Sequence, residues 1–453
     1  MANSIASRWR ELSGENYWQG LLQPIDIDLR RYIIHYGERI GAVGDLFNSE
    51  KESSGFRHSL YPKEEVFSRA CLEKGNIFKY YVTDFFYAAS DDVESAWFGY
   101  VAVTTDEGKV ALGRREILVA WRGTITDSEW FNNVNFFQTS ASELFGAGNN
   151  AKVHSGFLSL YTGTSWKSAY NKTSAREQVL KAVRELVNKY QDEEISITVT
   201  GYSLGAALAT LNAMDIVANG YNKPTGDSKK SCMVTAFAYA GPRVGNSGLE
   251  EVFKTLNDHL RLLRITNFWD PVHHLPSKFL SGYTHLGKEL QINTSKSDYL
   301  KRKLFVISTT NLQDNTDSIY IPPPGHLPAE YLDGNMQVEE ELEMYAATKG
   351  YKHKSNIREE LEIDATTLGF TGGLVGYLGE LFIAHALEVY LHGIAGVQEN
   401  GFRLEIDRDI ALVNKHLDWL KVDYKIPPKW WNNENRKNMV QIDNGHWKFV
   451  ENA

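Results

Sequence analysis

Residues 201–205 read Gly-Tyr-Ser-Leu-Gly, a Gly-x-Ser-x-Gly pattern able to hold a serine hydroxyl at the apex of a tight turn. The bare pattern also occurs as a strand-to-helix turn without chemistry, so its context decides. Residues 195–200 form an apolar run of strand character, and 204–218 read as an Ala-rich helix ended by Asn219 and Gly220. Between a strand and a helix, Gly201 and Gly205 are needed because a side chain at either place collides with backbone. Ala206 and Ala207 let the helix start lie close to the sheet. The helix N-terminus at Leu204 offers N–H groups and partial positive charge where an oxyanion develops in acyl transfer. The chemistry is attack of Ser203 on a carbonyl carbon.

A serine alone is a weak nucleophile, so a base and an orienting acid must follow, in the order Ser, Asp or Glu, His. Two further strands are expected after Ser203, at 233–240 and 260–266, and the first acid beyond the second is Asp270. That places Asp270 at a strand's carboxyl end, although an aspartate before proline is also an ordinary turn residue. Nine of the 13 histidines lie beyond Asp270, so order does not select the base. His273 and His274 share the Asp270 loop, His326 and His353 lie in an irregular region, and His385 and His392 fall on one face of an expected helix. The residues alone leave the base open.

These side chains need a scaffold. Residues 117–121 are a buried strand entering a loop at Arg122-Gly123, Ser174 and Glu177 form a capping box, and 179, 183, 186, 187 and 190 continue at helical spacing. A helix near 249–258 separates the last two strands. This alternation predicts an α/β fold, with a mostly parallel central sheet and helices on both faces, and a site at the carboxyl ends of the strands. Residues 1–110 lack the alternation, and 30–37 open either a helix or a short strand. Residues 293–379 read as an insertion or flap with a Gly-rich apolar stretch at 368–379. Residues 402–423 read as a strand or turn followed by a helix, and the polar tail around Trp430 and Trp431 is expected along the surface.

The chain has 453 residues, 42% hydrophobic and 23% charged, enough for a large core and too apolar for disorder. A net charge of −9 without a basic stripe argues against nucleic acid as a partner. Two cysteines, Cys71 and Cys232, provide neither a disulfide framework nor a four-cysteine zinc site. No metal-ligand cluster or phosphate-binding glycine loop stands out, so neither metal nor cofactor is expected. The first ten residues lack the apolar segment of a secretory signal, and the expectation is a cytoplasmic protein. The uncharged window 195–214 is long enough to span a bilayer but is interrupted by Thr198, Thr200 and Ser203, and reads better as strand, turn and helix.

The sequence resembles the plant class II phospholipase A1 enzymes of the class 3, fungal triacylglycerol lipase-like family of α/β-hydrolases. The resemblance rests on Trp-Arg-Glu-Leu-Ser-Gly at 9–14 with residues 18–24, Trp-Phe-Gly-Tyr-Val-Ala-Val at 97–103, Gly-Arg-Arg at 113–115, and Trp-Arg-Gly-Thr at 121–124. It continues with Val-His-Ser-Gly-Phe at 153–157, the run 201–211, and Gly-Pro-Arg-Val-Gly at 241–245. His-Ala-Leu-Glu-Val-Tyr-Leu-His at 385–392 and Arg-Asp-Ile-Ala-Leu-Val-Asn-Lys at 408–415 complete it. It covers most of the chain and implies one hydrolase domain over 1–453. Within it 1–110 is a packed N-terminal segment, 293–379 an insertion before the catalytic histidine, and 401–453 a C-terminal segment.

Carried over residue by residue, the resemblance implies Ser203 as nucleophile, Asp270 as triad acid and His385 as base, with Thr124 and the Leu204 N–H as oxyanion donors. It implies a lid over 125–137 that includes Trp130 and Phe131. Tyr202 stands where the family usually has histidine, which implies altered packing or substrate preference. The Asp270 to His385 separation is longer than expected of class II members, and the segment after Gly37 fits the family only loosely. The implied activity is release of the sn-1 fatty acid from phospholipids such as phosphatidylcholine, through an acyl-enzyme, on glycerolipid at a membrane or micelle surface. An acyltransferase, or an esterase on another lipid or small-molecule ester, is the alternative with the same triad, and a non-catalytic lipid-binding protein is a more distant one. With a charge of −9, adsorption to strongly anionic membranes is not expected to help, so contact would rest on the lid aromatics and 368–379.

Overall fold

The computed structural model describes residues 2–90, 93–125, 137–226, 230–276, 282–301, 384–396, 414–416, 418–431, 436–443, 445 and 447–450. Trp130 and Phe131 of the expected lid, and 302–379 of the expected insertion, lie outside them. Two N-terminal helices, α1 (Ala2–Leu12) and α2 (Ile27–Asp45), precede a sheet of β1 (Tyr80–Ala88), β2 (Ala96–Thr104) and β3 (Arg115–Trp121). Helix α3 (Ala175–Lys189) leads to β4 (Ile195–Tyr202), α4 (Leu204–Ala218) to β5 (Met233–Tyr239), and α5 (Ser247–Thr255) to β6 (Leu260–Asn267). Strand β7 (Lys288–Ile292) closes the sheet and α6 (Leu387–Ala395) follows.

The seven strands stand in chain order across the sheet. The β1–β2 and β2–β3 pairs are antiparallel, and β3 through β7 are parallel throughout. Consecutive parallel strands that always step the same way, each joined by a right-handed crossover, put their connecting helices on one face. The alternation of side chains along β5 shows what covers the other. Thr235 Oγ1 donates to the Ser13 carbonyl, Phe237 stacks on Tyr36 with ring centroids 5.0 Å apart, and the Tyr239 hydroxyl donates to the Ile33 carbonyl. These odd positions meet the N-terminal segment. The even positions Ala236 and Ala238 are small and face the α4 side, where Ala238 and Ala206 line the same small cavity. The N-terminal segment is therefore one face's cover, and its Leu29, Tyr32, Ile33 and Tyr36 are buried in the same apolar core as the strands.

The α3 capping box forms as expected, with Ser174 Oγ accepting from the Glu177 N–H and the Glu177 carboxylate accepting from the Ser174 N–H at 2.8 Å. The open choice at 30–37 resolves as helix, started by the Asp26 carboxylate accepting from the Asp28 and Leu29 N–H groups. Of the strand or turn and helix expected at 402–423, residues 402–413 and 417 lie outside the described residues. Asn414 Oδ1 accepts the Trp419 and Leu420 N–H groups, and Val422–Tyr424 forms a short 3₁₀ helix. The tail is not laid along the surface, since Trp430 is fully buried against Trp447 and Trp431 Nε1 donates to the Asp45 carbonyl at 3.1 Å. The polar residues around the two tryptophans concealed a small aromatic core.

Candidate active site

Ser203 joins β4 to α4 at φ 55° and ψ −123°, a conformation that a non-glycine residue adopts only when its surroundings enforce it. The surroundings are visible. The Ser203 N–H donates to the Tyr239 carbonyl at 2.9 Å, and a Cβ at Gly201 would run into the Gly205 carbonyl. A Cβ at Gly205 would strike the Arg122 carbonyl and lie 2.5 Å from that of Trp121. The elbow therefore fits only with glycine on both sides and with the end of β3 pressed against it. Gly205→Ala is expected to lower the unfolding free energy by about 1–3 kcal/mol and to reduce activity beyond what lost stability explains. Denaturant unfolding beside kcat checks this, and a variant as stable and active as the parent contradicts it.

Trp121 pairs in register with Gly201, so the segments leaving β3 and β4 emerge side by side, Thr124 three residues past one and Leu204 three past the other. Thr124 is partly buried, and the Leu204 N–H, at the first position of α4, has no acceptor within the helix. The two groups thus leave neighbouring strand ends beside Ser203.

Asp270 lies three residues past β6, its N–H donating to the Asn267 carbonyl at 3.0 Å, and it is 1% exposed. His385 bridges Asp270 and Ser203: Nδ1 stands 2.9 Å from Asp270 Oδ2 and Nε2 stands 2.9 Å from Ser203 Oγ. An ionised carboxylate can only accept, so Nδ1 carries the proton and Nε2 is left to accept from the serine hydroxyl. His385 does not share a helical face with His392. Ala386 is extended, at φ −62° and ψ 134°, and α6 begins only at Leu387. That break turns the base toward the elbow, while His392 is buried within α6. His273 and His274 sit in the Asp270 loop without bonding to it; burial pushes the His273 imidazole down to about 4. His326 and His353 lie outside the described residues.

Three further residues hold this arrangement. The Tyr202 hydroxyl donates to the His385 carbonyl at 2.9 Å, with the two rings 5.1 Å apart, so the unusual elbow tyrosine supports the base. Asn267 Nδ2 donates to the Ala384 carbonyl at 2.9 Å, tying the end of β6 to the segment that carries His385. The Tyr390 hydroxyl donates to Asp270 Oδ2 at 2.5 Å and accepts the Asn267 N–H at 3.0 Å. Burial, and then the Asp270 charge, push the Tyr390 phenol well above its ordinary value, so it remains a donor. With the Val272 N–H at 2.9 Å, Asp270 has three donors around it. Sequence reasoning missed Asn267 and Tyr390, although both stand within stretches it had singled out. Tyr390→Phe removes one charge-assisted bond in the interior and is expected to cost about 1.5–3 kcal/mol of stability and to lower kcat. Thermal unfolding and steady-state rates measure both, and an unchanged kcat would show that the bond does not order the acid.

Together these groups can deliver a serine alkoxide equivalent to a carbonyl carbon and return the proton to a leaving group. Among the described residues, no helix is long and apolar enough to cross a membrane.

Residues 118–280 match the sequence profile of the family described as Lipase (class 3). Phospholipase A1-IIgamma of Arabidopsis thaliana is 38% identical over 474 aligned positions, which cover 100% of this chain and 94% of that protein. Phospholipase A1-II 4 of Oryza sativa subsp. japonica is 38% identical, covering 99% of this chain and 96% of that one. Among solved structures, a triacylglycerol lipase from Penicillium expansum superposes with a TM-score of 0.40 at 17% identity, over 59% of this chain and 81% of that one.

Proposed function

From the premise that this chain belongs to the plant class II phospholipase A1 family, we propose that it is a serine acylhydrolase that releases the sn-1 fatty acid of phospholipids through an acyl-enzyme on Ser203. The observation that carries this reading is the unbroken relay from Asp270 through His385 to Ser203, each link 2.9 Å long. His385 takes the Ser203 proton as Oγ bonds to the ester carbonyl carbon, and the imidazolium is stabilised by Asp270. The tetrahedral intermediate collapses with the C–O bond breaking, and His385 gives its proton to the departing lysophospholipid hydroxyl. Water, deprotonated by the same imidazole, then attacks the acyl carbon and frees the fatty acid and Ser203.

Thr124 and the Leu204 N–H are the donors for the developing oxyanion in this scheme. Thr124→Val is expected to lower kcat roughly a hundredfold, about 3 kcal/mol of transition-state stabilisation, with little change in KM. Full retention of kcat would remove Thr124 from that role. The substrate surface is a membrane or micelle of glycerolipid, and two cysteines that are both free fit a reducing, cytoplasmic setting for the reaction. The test is hydrolysis of a phosphatidylcholine with different sn-1 and sn-2 chains. The proposal expects the sn-1 acid and a 2-acyl lysolipid from the parent protein and neither from Ser203→Ala. Release of the sn-2 acid first would overturn the regiochemistry, and equal release by Ser203→Ala would overturn the nucleophile.

A further inference from the structure

Beside the reaction centre lies a cavity of about 320 Å³ whose lining includes Thr124 and Tyr202 together with Asp45, Glu388, Lys415 and His416. The mechanism does not use these four ionisable groups. Helix α2 forms part of the wall through Gly41 and Gly44. Glycine is disfavoured in a helix, so each needs a reason. Close packing supplies one for Gly37, where a Cβ would run into Leu391. It supplies none for Gly44, where a Cβ would meet nothing within 4 Å, nor for Gly41, where it would reach only Leu387 Cδ2 at 3.9 Å. What the two absent side chains leave is open space in the cavity.

The ionic part of the wall is a connected group. The Asp45 carboxylate accepts from Lys415 Nζ and stands 2.9 Å from His416 Nε2. Glu388 Oε1 accepts the Lys415 N–H at 3.1 Å, and burial pushes its carboxyl up to about 7. The rest of the wall, with Ile40, Leu72, Leu391 and Trp447, is apolar, but a hydrocarbon chain lying against the ionic part would strip water from charged groups and return no hydrogen bond. A group with both anionic oxygens and a cation does return them, the oxygens to Lys415 and His416 and the cation to Asp45 and Glu388. The position of the cavity also bears on its occupant. Ala386 and Leu387, the two residues after His385, are among its lining residues, and His385 is the group that hands a proton to the leaving alcohol.

We propose that this cavity is the subsite for the head of the leaving alcohol, a phosphate–ammonium zwitterion, and that it selects substrates by that head rather than by acyl chain. This rests on the acylhydrolase reading above. The experiment compares kcat/KM for a phosphatidylcholine and a diacylglycerol with the same acyl chains, both in mixed micelles, for the parent, Gly44→Leu and Glu388→Gln. Leucine at 44 fills the cavity while improving the helix, so its Tm is expected to equal or exceed the parent's. The ratio of phosphatidylcholine to diacylglycerol kcat/KM is expected to fall at least about tenfold in Gly44→Leu and by about three- to tenfold in Glu388→Gln. A ratio unchanged in both variants, whether the two activities fall together or not at all, overturns the proposal, and an equal fall assigns the cavity to the acyl chain. Should Gly44→Leu fold poorly, Glu388→Gln decides alone. A parent that hydrolyses neither lipid contradicts the acylhydrolase reading instead, which keeps the two failures distinct.

Discussion

Replacing Ser203 with alanine is expected to lower kcat by about five to six orders of magnitude, leaving only the residual rate that binding and the oxyanion donors give without a nucleophile. The side chain lost is a single hydroxyl, 2.9 Å from His385 Nε2, in a residue that is 8% exposed. Alanine keeps the Cβ and the backbone at φ 55°, so the elbow is strained to the same degree in both proteins and the fold is expected to be retained. Release of a radiolabelled fatty acid from phospholipid over hours, with unfolding curves for both proteins, separates loss of chemistry from loss of structure. Activity above about one percent of the parent's would mean that another group performs the attack.

Asp270→Asn is expected to lower kcat by about 10⁴-fold, with KM changed far less. The reason lies in the donors around the carboxylate. The Val272 N–H donates to Oδ1 at 2.9 Å, so an asparagine at 270 keeps its carbonyl oxygen there and its amide nitrogen takes the Oδ2 position, which both His385 Nδ1 and the Tyr390 hydroxyl face. Its two N–H groups then donate to the Tyr390 oxygen and to His385 Nδ1. That ring then carries its proton on Nε2, faces Ser203 Oγ with a donor, and cannot take the serine proton. Steady-state kinetics and the imidazole NMR signals of His385 report the two consequences separately. A variant that retains its rate, or whose His385 keeps the proton on Nδ1, would show that Asp270 does not set the tautomer.

How much of this was legible in the sequence depended on how local each determinant is. The elbow was readable because its glycines, its serine and the flanking strand and helix lie within about two dozen consecutive residues, and α4 begins and ends where the pattern places it. The parallel order of β3 to β6 followed from alternation with helices, whereas β7, which no α-helix precedes among the described residues after β6, was not read. Helix α2 was ambiguous because it is buried on most of its circumference and contains three glycines, which blurs the 3.6-residue period that marks a half-exposed helix. His385 could not be chosen by spacing, because what selects it is a 115-residue contact to Asp270 and the extended Ala386 that ends its kinship with His392. Asn267 and Tyr390 were invisible for the same reason. Each matters through a partner more than a hundred residues away. Trp430 and Trp431 misled because average polarity describes a segment, whereas burial is decided by single side chains against the Asp45 and Trp447 surfaces.

Whether Ser203 is an activated nucleophile can be read by covalent labelling. The protein is incubated with a fluorophosphonate, digested and mapped by mass spectrometry, alongside Ser203→Ala and His385→Ala. Ser203 of the parent is expected to be phosphonylated stoichiometrically with parallel loss of hydrolysis, with no labelling at that position in Ser203→Ala and labelling slowed by orders of magnitude in His385→Ala. Full inactivation with Ser203 unmodified, or labelling of His385→Ala at the parental rate, would contradict it.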